Sequence, residues 1–169
     1  ENERALDIYQ EMLDKEIFVD VWTTSTVITA QTRLKNWDAS IEAYDTMLEH
    51  SDSLPNIYVY NMLLNCFAKT ACVERTMEIL AVMEQNGMEP NLVSYCTAVH
   101  ACEEAKDWQK VLDLISIMSE KGLELNLVVY NAGLRANLHA DNINKCRDSL
   151  EIMQTMRQRG IHPNVMSYN

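Results

Sequence analysis

The stretch MEQNGMEPNLVSY, residues 83–95, contains the signals for the end of one helix and the start of another. Gly87 can adopt the left-handed conformation that ends many helices, and Pro90 prevents the helix from continuing. The methionine that begins this stretch recurs along the chain, as Met12, Met47, Met83, Met118 and Met156. A spacing of about 35 residues is the period of a helical-repeat array.

The composition favours an all-α fold. Of the 169 residues, 47% are apolar and 23% are charged, which is typical of a globular chain rather than a disordered one. The four glycines and three prolines are too few for an all-β fold with many tight turns. The apolar runs fall well short of the roughly 18 residues of a membrane-spanning helix, so we expect no membrane insertion.

Apolar residues recur with helical spacing in pairs of segments between the stop signals. In the clearest pair, one apolar face runs from Tyr60 to Ala68 and the next from Val73 to Met83. In the first helix of the preceding pair, we expect Thr23 to Thr26 to supply the N-cap oxygens. We predict the second helix of a partial repeat at 1–20, full repeats at 21–56, 57–91, 92–126 and 127–164, and the start of a further repeat at 165–169.

The net charge of −11 argues against a wholly basic nucleic-acid-binding surface. The first-helix segments at 21–33, 57–69, 92–104 and 127–139 nevertheless carry a charge of +1, and the remainder carries −12. The charged residues of these segments are the basic Arg33, Lys69 and Arg135 and the acidic Glu103 and Glu104. We therefore expect the acidity to lie on second helices and turns, and the attraction for phosphate to be weak.

The reactive side chains form no catalytic or metal-binding pattern. The five cysteines contain no CxxC pair, so neither a disulfide framework nor a zinc site is indicated. No Gly-rich phosphate loop and no Ser/His/Asp order is present, and His100 and His139 belong to different repeats. We expect no enzymatic activity, no cofactor, no metal and no small-molecule substrate.

A six-residue phrase follows each stop signal. It reads NIYVYN at 56–61, NLVSYC at 91–96, NLVVYN at 126–131 and NVMSYN at 164–169. Together with the Met-x3-Gly-x2-Pro-like ending, this phrase resembles the pentatricopeptide-repeat family, whose repeats open on a V-T-Y-N-like phrase. The tetratricopeptide repeat, a protein-binding repeat of similar length, lacks this ending.

The resemblance implies a right-handed α-solenoid superhelix of antiparallel helix pairs, with the first helices lining a concave groove. Proteins of this family typically act in mitochondria or plastids and bind single-stranded RNA, one base per repeat. It therefore implies an organellar-matrix protein, in the plastid stroma or the mitochondrial matrix. The phrase His100 to Glu104 with Trp108 resembles variants in algal members, which favours the plastid.

The resemblance also implies a set of RNA-binding residues. In the family, the fifth residue of the first helix and the last residue of the repeat hydrogen-bond the base edge, and the second residue wedges between bases. The implied base-reading pairs are Ser25 with Asn56, Asn61 with Asn91, Cys96 with Asn126, and Asn131 with Asn164. The implied wedges are Trp22, Tyr58, Val93, Val128 and Met166, and the implied phosphate-facing residues are Arg33, Lys69 and Arg135. By the family's code, the resemblance implies a preference for the RNA sequence 5′-A-Y-N-Y-3′, in which Y is a pyrimidine and N is any base. A base-reading pair of two asparagines favours cytosine among the pyrimidines.

The sequence is also compatible with a second function, that of a protein-binding scaffold. Some family members are similar to scaffold subunits, which bind proteins in large organellar complexes (photosynthetic, respiratory or ribosomal) without RNA. The acidic second helices, the bulky Trp22 and Tyr58, and Cys96 at a base-reading position favour this alternative. The asparagines at the repeat ends are also compatible with a role in turns, which asparagine serves well.

Overall fold

A computed structural model describes residues 2–15, 17, 19–50, 55–139 and 145–168, and all regular structure in these ranges is helical. The helices are α1 (Asn2–Asp14), α2 (Val21–Arg33), α3 (Trp37–His50), α4 (Ile57–Lys69), α5 (Val73–Gln85), α6 (Leu92–Glu104), α7 (Trp108–Glu120), α8 (Leu127–His139), α9 (Lys145–Gln158) and α10 (Val165–Tyr168). In this part of the chain, none is long and apolar enough to cross a membrane.

The helices form two layers. The first helices α2, α4, α6 and α8 contact one another in sequence, and each packs against the second helix that follows it. Across the described ranges, the second helices α3, α5, α7 and α9 make no comparable contact with one another. Because the layer whose members lie closer together is on the inside of a curved stack, the first helices form the concave layer.

Two kinds of side chain recur in the core, a methionine near the end of each second helix and a tyrosine in the first helix. The buried examples are Met47, Met83, Met118 and Met156, with Tyr60, Tyr95 and Tyr130. They belong to one hydrophobic cluster that extends along the stack. Each helix pair therefore completes its core with residues of its neighbours, as in other solenoids.

The spacing between the recurring methionine and glycine follows from how the second helix ends. The backbone N of Met88 donates to the carbonyl of Met83 over 2.9 Å, and that of Gly87 donates to Glu84 over 3.0 Å. These are the two bonds of a Schellman motif, which requires a left-handed residue at Gly87. Its φ of 71° confirms the predicted helix stop. Gly122 and Gly160 end α7 and α9 in the same way.

Three first helices, α2, α4 and α6, end in the same geometry without glycine. Lys35, Ala71 and Lys106 have φ values of 63°, 53° and 59°. The left-handed conformation costs a residue with a Cβ about 1 kcal/mol. Sequence reasoning missed these three left-handed positions because no glycine marks them.

The start of α2 differs from the sequence-based expectation, because Asp20 and not Thr23 to Thr26 provides the N-cap. The backbone N of Thr23 donates to Oδ1 of Asp20 over 2.8 Å. The hydroxyl groups of Thr24, Ser25 and Thr26 donate instead to carbonyls four residues earlier. An N-cap residue needs an extended backbone, which Asp20 has, whereas the three residues are already helical.

We expect opposite effects from exchanging glycine and alanine at two left-handed positions. Gly87→Ala should lower the free energy of unfolding by about 1 kcal/mol, because a Cβ is disfavoured at positive φ. An added Cβ would have no atom within 4 Å, so the loss would report backbone conformation alone. Ala71→Gly should raise the free energy of unfolding by about as much. Chemical denaturation followed by circular dichroism measures both, and changes of the same sign would contradict this account.

Candidate functional site

The concave layer carries a row of exposed apolar side chains, one at the second residue of each first helix. The exposed fractions are 79% for Trp22, 56% for Tyr58, 59% for Val93, 62% for Val128 and 55% for Met166. Isolated exposed apolar residues are common, whereas a regular row of them on one face is typical of an interaction surface. The row consists of the five positions at which wedge residues are predicted.

The first two members of this row line a cavity between α2 and α4. Trp22 and Tyr58 lie on its wall together with the polar side chains of Ser25 and Asn56, and the cavity measures about 430 Å³. The structure therefore brings the predicted pair of Ser25 and Asn56 together beside two aromatic rings. Aromatic faces next to hydrogen-bonding groups suit a planar base, which has apolar faces and a polar edge.

The last residue of each predicted repeat is the N-cap of the next first helix. Its Oδ1 atom accepts hydrogen bonds of 3.0–3.2 Å from backbone N–H groups of the first helical turn. The four capping residues are Asn56, Asn91, Asn126 and Asn164. Because the carbonyl end of each amide serves the helix, the Nδ2 end is the part available to a ligand.

A buried serine connects the members of two predicted base-reading pairs. Oγ of Ser94 donates to Oδ1 of Asn61 over 2.6 Å and accepts a bond of 3.3 Å from the backbone N of Asn91. We call this arrangement the serine link. The same link joins Asn131, Ser167 and Asn164, with distances of 2.6 and 3.1 Å.

The other two predicted pairs have no serine link. Ser25 donates to a backbone carbonyl of its own helix, and Val59 takes the place of the linking serine. In the third repeat, Nδ2 of Asn126 lies 3.7 Å from Sγ of Cys96. Val129 occupies the position of the linking serine there. Burial raises the pKa of the Cys96 thiol, so this side chain stays protonated at neutral pH. A thiol is a weak hydrogen-bonding partner, which makes this the least polar of the four pairs.

The three predicted phosphate-facing residues have different surroundings. Arg33 and Lys69 are exposed, and neither forms an ion pair with the residues that the structure describes. In contrast, Nη2 of Arg135 lies 2.6 Å from Oε1 of Glu103, whose side chain is only 13% exposed. Sequence reasoning missed this ion pair because the two residues lie 32 positions apart on different first helices. A phosphate at Arg135 would have to compete with this carboxylate.

Residues 22–169 match the family described as the pentacotripeptide-repeat region of PRORP. The chain belongs to the pentatricopeptide-repeat family. The match and the helical layers confirm the predicted all-α solenoid and the resemblance on which that prediction was based.

Solved structures of pentatricopeptide-repeat proteins share this fold. PPR10 from maize has a TM-score of 0.74 and 19% identity over 95% of this chain and 22% of its own. The repeat domain of protein-only RNase P 1 from Arabidopsis thaliana, solved in complex with tRNA, has a TM-score of 0.81 and 15% identity over 99% of this chain and 86% of its own.

A curated relative is a chloroplastic pentatricopeptide repeat-containing protein of Arabidopsis thaliana. It is 24% identical over 86 residues, which represent 51% of this chain and 17% of the relative. The matched residues therefore span less than a fifth of the length of this relative, and the chain spans about a fifth of PPR10.

The N-cap of α2 should respond to acid differently from the asparagine caps. Hydrogen bonds from Thr23 hold the pKa of the Asp20 carboxyl below its ordinary value of 3.8. The stability that this cap contributes is present above pH 3.8 and is lost as pH falls through the lowered pKa. Asp20→Asn should remove this acid sensitivity, because an amide keeps the capping oxygen and does not titrate.

Thermal unfolding midpoints of the two proteins between about pH 7 and pH 3 measure the effect. Other carboxyl groups titrate equally in both proteins, so the difference between the midpoints isolates Asp20. A difference that stays constant over the whole pH range would contradict the proposed pH dependence.

Proposed function

We propose that this chain binds single-stranded RNA along its concave layer, with one base in register with each repeat. The observation that carries the proposal is the regular row of exposed apolar side chains from Trp22 to Met166, with polar pairs at the repeat junctions beside it. A polynucleotide presents the matching alternation, because each base has two apolar faces and a hydrogen-bonding edge.

The relatives support RNA as the partner. PPR10 has been solved in complex with an 18-nucleotide psaJ RNA element, and the RNase P 1 repeat domain in complex with tRNA. The chloroplastic relative supports an organellar location, and we propose the plastid stroma ahead of the mitochondrial matrix.

In the proposed complex, the two ends of the groove have different roles. The first two repeats combine the aromatic side chains of Trp22 and Tyr58 with two cations, Arg33 and Lys69, that form no ion pair within the described ranges. These repeats therefore supply most of the affinity. The base-reading pairs contribute selectivity, and the bound sequence is 5′-A-Y-N-Y-3′. The proposed pairs are Ser25 with Asn56, Asn61 with Asn91, Cys96 with Asn126, and Asn131 with Asn164. The proposed wedges are Trp22, Tyr58, Val93 and Val128.

A scaffold role in a large organellar protein complex is the second candidate. The ion pair between Arg135 and Glu103 favours it, because this pair removes a cation from phosphate binding in a chain with a net charge of −11. A scaffold would associate with protein subunits in a complex that survives nuclease treatment, and it would bind no RNA at low salt.

RNA binding should depend on the aromatic end of the groove. Trp22→Ala should weaken binding of a single-stranded oligonucleotide by roughly 1–3 kcal/mol, the contribution of stacking one base on an aromatic ring. Leu150→Ala is the matched control, because Leu150 is 60% exposed on the second helix α9, and it should leave the affinity unchanged. Fluorescence anisotropy at low salt measures both variants. Failure of the unsubstituted protein to bind any single-stranded RNA would refute the proposed function.

Removing the carboxylate that pairs with Arg135 should strengthen RNA binding. Glu103→Gln frees one cation in the groove, so the plot of log affinity against log salt concentration should steepen by about 0.7 for one added phosphate contact. Glu84→Gln is the control, because Glu84 pairs over 2.9 Å with Lys121 outside the concave layer. If both variants change the salt dependence equally, the ion pair in the groove has no special role in binding.

A further inference from the structure

We propose that Ser94 and Ser167 set the base preference of two repeats by fixing the direction in which the amide groups of Asn61 and Asn131 face. This inference rests on the proposed RNA-binding function. Each serine lies in the first helix of the following repeat, so the residue that controls the preference lies outside the base-reading pair itself.

The geometry of the serine link determines which end of the Asn61 amide faces Ser94. The separation of 2.6 Å lies in the range of O–H···O hydrogen bonds and below that of N–H···O bonds. Ser94 accepts a hydrogen bond from the backbone N of Asn91. Its single hydroxyl hydrogen is donated to Asn61, because Oδ1 of Asn61 at 2.6 Å is much closer than the other acceptor, Oδ1 of Asn91, at 3.3 Å. Oδ1 of Asn61 therefore faces the serine, and Nδ2 is the free end.

The second member of the pair is oriented independently. Oδ1 of Asn91 accepts hydrogen bonds from the backbone N of Val93 and Ser94 over 3.0 and 3.1 Å, so Nδ2 of Asn91 faces away from the helix. The pair of Asn61 and Asn91 consequently offers two amide donors and no free carbonyl oxygen.

The pair of Asn131 and Asn164 has the same polarity. The 2.6 Å bond from Ser167 fixes Oδ1 of Asn131, and Oδ1 of Asn164 accepts from the backbone N of Ser167 over 3.2 Å. Nδ2 of Asn131 donates to Oδ1 of Asn164 over 3.4 Å, which uses one of its two N–H groups and leaves the second for a ligand. Both linked pairs therefore present donors.

Two adjacent donors distinguish cytosine from uracil. Cytosine presents two neighbouring acceptors, N3 and O2, whereas uracil has an N3–H donor between its two carbonyl groups. An asparagine amide that is free to turn over can present either its oxygen or its nitrogen, and so can pair with both bases. The serine link prevents this reversal and thereby favours cytosine.

The four described junctions between successive first helices distinguish the orienting role of the serine from simple helix capping. Where the fifth residue of the preceding first helix is asparagine, the third residue of the next first helix is serine. Where the fifth residue is Ser25 or Cys96, which have no amide to orient, the third residue is Val59 or Val129. The caps at those two junctions remain intact, with bonds of 3.1 Å from the valine backbone N. Serine is therefore present where an amide has to be oriented, and valine is compatible with the fold.

The test replaces each serine with valine and measures binding to four RNA probes. Each probe is a short oligoadenylate with two pyrimidines separated by one adenosine, and the four probes carry cytosine or uracil at each pyrimidine position. Ser94→Val should reduce the preference for cytosine at the first pyrimidine by about 5-fold, the effect of one net hydrogen bond. It should leave the preference at the second pyrimidine unchanged, and Ser167→Val should have the reverse effect.

Each serine variant is the control for the other. Equal loss of affinity for all four probes would show that the serine has only a structural role, and it would overturn the inference. Cytosine-to-uracil affinity ratios that do not change in the variants would also overturn it. So would equal binding of cytosine and uracil probes by the unsubstituted protein. If the unsubstituted protein binds none of the probes, the proposed RNA-binding function fails and this inference fails with it.

A readout without RNA tests the link directly. Ser94→Val should shift the NMR resonances of the Asn61 side-chain amide and leave those of Asn131 in place, and Ser167→Val should do the opposite. Resonances that do not move would show that the serine does not hold the amide, which would overturn the inference even if RNA binding is confirmed.

Discussion

The start of every first helix has backbone N–H groups that need an acceptor, and the structure meets this need with a side chain at the repeat junction. Asn56, Asn91, Asn126 and Asn164 provide the acceptor, and Asp20 provides it for α2. Since the carbonyl oxygen serves the helix, each amide directs its nitrogen elsewhere. One local requirement of helix formation therefore fixes the polarity of a row of groups along the concave layer.

The concave layer is not uniform from end to end. Near α2 and α4 it has aromatic side chains and exposed cations, whereas near α6 and α8 it has a thiol and the ion pair of Arg135 with Glu103. Stacking and phosphate attraction are thus concentrated at one end. Along the layer, the asparagine pairs that have a serine link alternate with the pairs that have none. In the proposed complex, a single-stranded ligand is held mainly by the first two repeats, and the serine links orient the asparagine amides at every second junction.

The fold could be predicted from the sequence because its signals are local. The spacing from Met83 to Gly87 is the spacing of a Schellman motif, and the helices between the stops follow the apolar period. The pairing of Arg135 with Glu103 and the serine links could not be predicted, because they join residues more than 30 positions apart and depend on how first helices stack. The predicted repeat at 127–164 is three residues longer than the two before it; the sequence places these extra residues near positions 139–142, and positions 140–144 lie outside the described residues.

The serine links also have a mechanical consequence. Ser94 joins Asn61 on α4 to the cap of α6, so the two amide donors of this pair are attached to neighbouring first helices. A change in the spacing of α4 and α6 would change the distance between the two donors. In the proposed RNA complex, the pitch of the superhelix and the discrimination between pyrimidines would therefore be coupled, and a rigid ligand that alters the pitch would alter the selectivity at the same time.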